Sequence, residues 1–319
     1  MSKYIGIDTS NYTTSVALYD SETNSIVSKR KLLPVSDGQL GLRQSDAVFH
    51  HTQQLPMLFE QLFADVDVDA SDIKAVCASF APRKMQGSYM PCFTVGSGFA
   101  RALSATLGVE LYDVSHQQGH IAAALYSIDR LDLLSERFIA FHVSGGTTDA
   151  LLVNGTPGEF LSCELIATTL DLNAGQLVDR VGLMLGCSFP CGKQLEALAC
   201  ECGDIINVRP TLKGNDCCLS GVENICKKAI NDGKSDAYVA KLCLKYIEAT
   251  LLSMTGKLIE QYGDIPVVFA GGVMSNSIIR KNITEALKCD FSKPEFSTDN
   301  ACGVAVLGYV KDKMKNGIL

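Results

Sequence analysis

An α/β protein made of two similar halves is the fold class that this sequence of 319 residues predicts. Three observations predict it. Residues 139–153 read IAFHVSGGTTDALLV: an apolar run, a small-residue turn and a second apolar run. That is a β-hairpin pattern turning at Gly145-Gly146. Residues 5–19, IGIDTSNYTTSVALY, lie over it without a gap, so that Ser10 falls on Ser144, Thr13 on Thr147 and Thr14 on Thr148, with matching apolar flanks. A gapless echo of this kind points to internal duplication. Each hairpin is then followed by a third strand-like run and by helical patterns alternating with short apolar strands.

An isolated hairpin of this kind is read most simply as an ordinary hairpin; the repeat changes the reading. Two halves, each opening with a hairpin whose turn faces a shared cleft, describe the actin, sugar-kinase and Hsp70 architecture. This actin-like fold (ASKHA, ribonuclease H-like) places a nucleotide in the interdomain cleft. The first half is expected over residues 1–125 together with about 297–319, the second over about 126–296.

In chain order, the first hairpin is followed by a strand at 25–32 and a loop at 34–41. Over 42–63, Leu42, Val48, Leu55, Leu58 and Leu62 recur at helical spacing, predicting an amphipathic helix interrupted or kinked at Pro56. IKAVCAS at 73–79 reads as a buried parallel strand. A Gly/Pro-containing loop over 81–98 leads to a helix at 99–107, and 110–114 is the next strand. Residues 115–125, SHQQGHIAAAL, open on Ser115 as helix cap, which puts His116 and His120 on one helical face within reach of one metal ion. Two unrelated surface histidines are the competing reading.

The second half repeats three strands over 138–153 and 160–166. A helix over 174–185 ends at Gly186, Phe189-Pro190-Cys191-Gly192 turns, and 193–202 is helical again. Residues 216–232 hold a Ser-Gly step and a helix carrying Lys227 and Lys228, and 237–262 is a long amphipathic helix. A strand at 266–270 runs into Gly271-Gly272 and a helix from about Asn276. A glycine turn between strand and helix N-terminus suits a phosphate or ribose, by backbone geometry and dipole, although a tight βα turn alone looks the same. Asp299, where the last helix opens, reads by itself as a cap.

Composition narrows the class. With 47% hydrophobic and 20% charged residues the chain can bury ordinary cores. No apolar window of about 18 residues predicts a membrane span. The start passes straight into a strand, so no signal peptide and a cytoplasmic location are expected. Thirteen cysteines within apolar runs point to a reducing compartment. Cys200, Cys202, Cys217 and Cys218 lack zinc-site spacing and are expected as small buried hydrophobes. The formal net charge of −7 argues against broad binding to nucleic acid.

The segments GIDTS, SHQQGH, VSGGTTDAL, NAGQLVDRVGLMLG, FPCGKQLEALA, LSGVENICKKAI, AGGVMSN and STDNA, in this order from residue 4 to about 310, resemble the TsaD family of tRNA threonylcarbamoyl-adenosine modification proteins, once described as glycoproteases. The resemblance implies transfer of a threonylcarbamoyl group from an adenylate to N6 of a tRNA adenosine. It implies His116, His120 and Asp299 as ligands of one divalent metal (iron, zinc or magnesium). It implies that His142, Val143, Ser144, Gly145 and Gly146 face the phosphate and carbamoyl end, and that Asp179, Gly192, Glu196 and Asn276 hold the adenosine of ATP or an adenylate. It further implies as partners tRNA and a TsaB-like protein, or a second copy of the chain, through the helix at 42–63.

The sequence also departs from that pattern. Asn11, Tyr12 and Thr13 stand where the family has acidic residues, leaving the catalytic residues unassigned. Thr147 replaces a histidine, Gln176 an acidic residue, and Leu42-Arg43-Gln44 a Val-Pro-Glu segment; the PGGP turn carries Cys191 and Lys193. The family's basic, Pro-rich tail has no counterpart, from which weaker tRNA binding is expected. A diverged paralogue is therefore expected, either a carbamoyl-type transferase or a non-catalytic nucleotide- and metal-binding partner. A sugar or acetate kinase would need a phosphate-loop Asp/Lys arrangement that the sequence does not place.

Overall fold

The computed structural model describes residues 2–34, 42–84, 87–155, 161–298 and 300–317. The chain divides into two compact units, Met1–Leu131 with Thr298–Leu319, and Asp132–Ser297. Unit 1 opens with strands β1 (Lys3–Ser10), β2 (Thr13–Asp20) and β3 (Ser25–Leu32), helix α1 (Gln44–Ala64), β4 (Ile73–Ala81), α2 (Phe93–Leu107), β5 (Glu110–Ser115) and α3 (His116–Ser127). Unit 2 holds β6 (Arg137–Val143), β7 (Thr148–Asn154), β8 (Ser162–Thr168), α4 (Ala174–Met184), α5 (Gly192–Cys200), β9 (Thr211–Lys213), β10 (Asp216–Cys218), α6 (Ser220–Asn231), α7 (Asp236–Tyr262), β11 (Val267–Ala270), α8 (Ser277–Ala286) and β12 (Asp290–Phe291). Helix α9 (Cys302–Lys315) returns the chain to unit 1.

The two main sheets have one topology. Unit 1 orders its strands β3-β2-β1-β4-β5, and unit 2 orders them β8-β7-β6-β11-β12. In each, three antiparallel strands are extended by two parallel ones. The register of the sequence echo is kept: Thr9 pairs with Thr14 in the first hairpin, and Val143 pairs with Thr148 in the second. Alternating and continuous apolar runs supply each core. Ile5, Ile7, Val16, Leu18, Leu55, Leu58 and Leu62 pack together in unit 1; Ile139, Phe141, Leu177, Val181, Leu251, Met254 and Phe269 do so in unit 2. No helix among the described residues is long and apolar enough to cross a membrane.

Several expectations change. Helix α1 runs unbroken through Pro56, because Leu55, Leu58, Phe59 and Leu62 are buried on one face and packing outweighs the lost donor. Helix α2 begins at Phe93, six residues before its expected start. Gly96, read as a loop residue, instead lets the helix touch β1: its N–H donates to Thr9 Oγ1 at 3.2 Å, and a Cβ there would lie 2.8 Å from that oxygen. A 3-10 turn, Gly272–Ser275, separates β11 from α8. The small hairpin β9–β10 was not foreseen. Cys217 is buried as expected, but Cys200 is exposed and Cys202 and Cys218 are half-buried, so three of these four are not core residues. Residues 35–41, and Phe160 of the expected third strand, lie outside the described residues.

A polar group is buried between α1 and β2. Thr14 Oγ1 donates to Gln54 Oε1 at 2.8 Å and lies 2.8 Å from His51 Nδ1, so the His51 ring donates from Nδ1 to the hydroxyl. Burial pushes the His51 imidazole down to about 4; the Ser10 backbone and the Asp8 charge pull the other way, and His50 adds to the depression. The folded-state value lies below the ordinary one of about 6.5. Between those values the unfolded chain holds a proton that the folded chain does not. This contribution to stability is therefore complete above about pH 6.5 and shrinks as pH falls towards about 4, by roughly 2–3 kcal/mol. Urea denaturation of wild type and His51→Gln at pH 7 and pH 4.5 should show a smaller acid loss in the variant. The same loss in both proteins would refute the assignment.

Candidate functional site

In unit 1 the site is set by the start of α3. Ser115 Oγ accepts from Gln118 N at 3.2 Å, and Gln118 Oε1 accepts from Ser115 N at 2.8 Å, closing a capping box. Gln117 N also donates to Pro82 O at 3.0 Å. The cap fixes the first turn, so His116 and His120 stand one above the other. Their Nε2 atoms are 3.0 Å apart, with ring centroids at 4.4 Å and planes at 78°. His116 Nδ1 lies 3.0 Å from Asp8 Oδ1, on β1, and the same oxygen accepts from Ser79 Oγ, on β4, at 2.5 Å. Asp8 and Ser79 are fully buried.

The Nε2–Nε2 contact is a hydrogen bond between the two rings, and it also brings both nitrogens close enough to reach one ion at about 2.1 Å. Among the described residues no group of three His, Cys, Asp or Glu side chains is arranged to hold a metal ion. Asp299, expected as the third ligand, lies outside the described residues.

The turn between β1 and β2 carries no carboxylate. Asn11 Oδ1 accepts from Gln44 Nε2 at 2.7 Å, and Gln44 Oε1 accepts from Cys92 N at 3.2 Å, a chain of neutral amides. Tyr12 is exposed, and Thr13 is buried in β2.

In unit 2, β6 and β11 run parallel, and a glycine turn leaves the carboxyl end of each. After β6, Ser144 N donates to Thr147 O at 2.7 Å and Gly146 N to Ser144 Oγ at 3.3 Å, with Gly145 and Gly146 exposed. The N-terminus of α4 sits against this turn: Gly175 N donates to Ser144 O at 3.0 Å and Ala174 N to Thr148 Oγ1 at 2.9 Å. A Cβ on Gly175 would lie 2.5 Å from Gly145 N. After β11, Gly271 has φ +106°, and a Cβ on it would lie 2.3 Å from Val143 O. Both turns therefore meet at the carboxyl ends of two adjacent parallel strands inside the sheet, where ligands of open α/β sheets bind. His142, half-buried on β6, pairs in register with Asp149 on one side and Ala270 on the other.

The predicted adenosine residues are brought to the neighbouring helix ends, and each has a structural bond as well. Asp179 Oδ1, on α4, accepts from Cys191 N at 2.9 Å, immediately before Gly192 opens α5. Glu196 Oε1, on α5, accepts from Ser277 N at 2.8 Å and from Ser277 Oγ. Asn276 Oδ1 caps α8 by accepting from Ile279 N at 3.0 Å. Gln176, in place of an acidic residue, closes the α4 capping box by accepting from Asn173 N at 3.4 Å.

Sequence reading missed Asp8, Ser79 and Gly175. The available signal for Asp8 was one acid directly after the apolar run Tyr4–Ile7 of a buried strand. Nothing local marks Ser79 or Gly175, because their partners are remote in sequence or reached only through the turn.

Residues 37–306 match the TsaD family, described as tRNA N6-adenosine threonylcarbamoyltransferase. Solved structures with the same fold include full-length HypF in its phosphate- and nucleotide-bound form (14% identity, TM-score 0.60, 98% of this chain and 46% of that one). Component A of (R)-2-hydroxyglutaryl-CoA dehydratase from Acidaminococcus fermentans is similar at 15% identity and TM-score 0.55, over 98% of this chain and 99% of that one. A ROK family glucokinase from Streptomyces griseus, in complex with glucose and AMPPNP, is similar at 10% identity and TM-score 0.51, over 97% and 99%. At such identities these likenesses show the actin-like α/β fold alone.

Proposed function

Because this chain belongs to the TsaD family of tRNA N6-adenosine threonylcarbamoyltransferases, we propose that it binds an adenine nucleotide or adenylate in unit 2 and one divalent metal at His116 and His120, and serves threonylcarbamoyl or related carbamoyl transfer. The observation that carries the reading is the meeting of the Ser144–Gly146 and Gly271-Gly272 turns at the carboxyl ends of β6 and β11, flanked by Asp179, Glu196 and Asn276. Glycine backbone close to a helix N-terminus suits phosphate. The second oxygens of the two carboxylates are suited to ribose hydroxyls.

His116 and His120 would hold the metal through Nε2, with Asp299 as the residue that the family resemblance adds. When bound, the metal supplies a Lewis acid for carbonyl or phosphate oxygens. The exposed Phe49, Met57 and Phe63 on α1 support this helix as the docking face for a TsaB-like partner or a second copy.

A second reading, a nucleotide-binding partner without catalysis, is favoured by one observation: the Asn11–Gln44 amide pair in the first turn.

Nucleotide binding is tested by calorimetry with AMP and ATP on wild type and Gly175→Ala. The added methyl must push the Ser144–Gly146 turn away from α4, and affinity should fall about tenfold or more, about 1.4 kcal/mol. Thermal melting checks that the variant folds. A folded variant with an unaltered dissociation constant would move the site elsewhere, and wild type that binds neither nucleotide would sink the reading.

A further inference from the structure

The two histidines can act together only if each ring presents a lone pair to the same point. A neutral imidazole carries its proton on one nitrogen, and the hydrogen bond made by the other nitrogen decides which. His116 Nδ1 lies 3.0 Å from Asp8 Oδ1, a carboxylate oxygen that only accepts, so the His116 proton sits on Nδ1. Its Nε2 then carries a lone pair that accepts from His120 Nε2–H 3.0 Å away, a proton that a bound metal would replace once His120 takes its other tautomer. Asp8 is itself fixed: it is fully buried on β1, and Ser79 Oγ, from the adjacent parallel strand β4, donates to the same Oδ1 at 2.5 Å.

We propose that Asp8 is the positioning residue of the two-histidine site, selecting the His116 tautomer that presents Nε2 to a divalent metal and raising the basicity of that nitrogen. Carboxylates behind metal-binding histidines act in this way, and their loss typically weakens metal binding by about 10- to 100-fold. The proposal rests on the metal reading of His116 and His120.

The test has two arms. In metal-free wild type at a pH above the ordinary imidazole value of about 6.5, nitrogen-15 NMR of the histidine rings should show the His116 proton on Nδ1. A proton on Nε2 would overturn the proposal. In the second arm, Zn2+ affinity is measured by competition with a chromophoric chelator for wild type and Asp8→Asn. The variant should bind Zn2+ about 10- to 100-fold more weakly at an unchanged 1:1 ratio. If Asp8→Asn does not fold, as judged by its near-ultraviolet circular dichroism, the tautomer measurement decides alone. Wild-type uptake of Zn2+ with equal affinity in a folded Asp8→Asn overturns this proposal and leaves the metal reading standing. Wild type that takes up no Zn2+ overturns the metal reading, and the proposal with it.

Discussion

Replacing His116 and His120 together by alanine is expected to abolish stoichiometric uptake of a divalent metal without unfolding the protein. The two parts of the result have separate causes. On the proposed metal reading, affinity would depend on the two Nε2 atoms held 3.0 Å apart, and the double variant removes both. The helix depends on other groups. Ser115 and Gln118 make its capping box, and Ile121, Ala122, Ala123, Ala124 and Leu125 bury its second half. Alanine has the highest intrinsic helix propensity, so the substitutions favour α3 locally. The cost falls on Asp8, which loses the His116 hydrogen bond inside the protein; such losses amount to about 1–3 kcal/mol. A lowered melting temperature with a cooperative transition is therefore expected, together with metal content at background after dialysis against Zn2+ or Fe2+. Metal content equal to wild type in the double variant would show that the ligands lie elsewhere.

The fold was legible in the sequence to the extent that short-range pattern determines it. The echo between residues 5–19 and 139–153 fixed two hairpins, and those hairpins keep one register, Thr9 with Thr14 and Val143 with Thr148. Apolar runs marked β4, β6, β7 and β11, and Ser115 marked the start of α3. Glycine was ambiguous because it serves two ends. At Gly96 the pattern suggested a loop, whereas the missing side chain admits Thr9 against a helix. Pro56 suggested a break that the packing of α1 on β2 overrides. In the site, the i, i+4 spacing of the histidines was visible, but their coupling to Asp8 and Ser79 was not. Those residues come from β1 and β4 and meet α3 only after the parallel sheet has formed. Likewise Asn276 stands at the helix start that the glycine turn suggested, but the bond from Ser277 to Glu196, in the middle of α5, joins residues that no local pattern connects.

Expressed in place of a housekeeping TsaD-family enzyme, this protein is expected to leave bulk tRNA without its threonylcarbamoyl-adenosine. The N6 amine of adenosine is a poor nucleophile and must lose a proton as the new bond forms. A positioned base accelerates such a step by about 10²–10⁴-fold. Where the family resemblance places acidic residues, this chain has Asn11, Tyr12 and Thr13, and an amide, a phenol and an alcohol do not serve as bases at neutral pH. The fold gives these side chains other work. The Asn11 amide oxygen is occupied by Gln44, Thr13 is buried in β2, and Tyr12 projects into solvent. The net charge of −7 further limits how many tRNA phosphates the surface can neutralise. An acceptor with a more reactive amine would not need that base. The measurement is complementation of a strain lacking the housekeeping enzyme, with the modified nucleoside quantified by mass spectrometry of digested tRNA. Wild-type nucleoside levels would show that the first turn needs no carboxylate, and that the neutral Asn11–Gln44 pair marks no loss of tRNA chemistry.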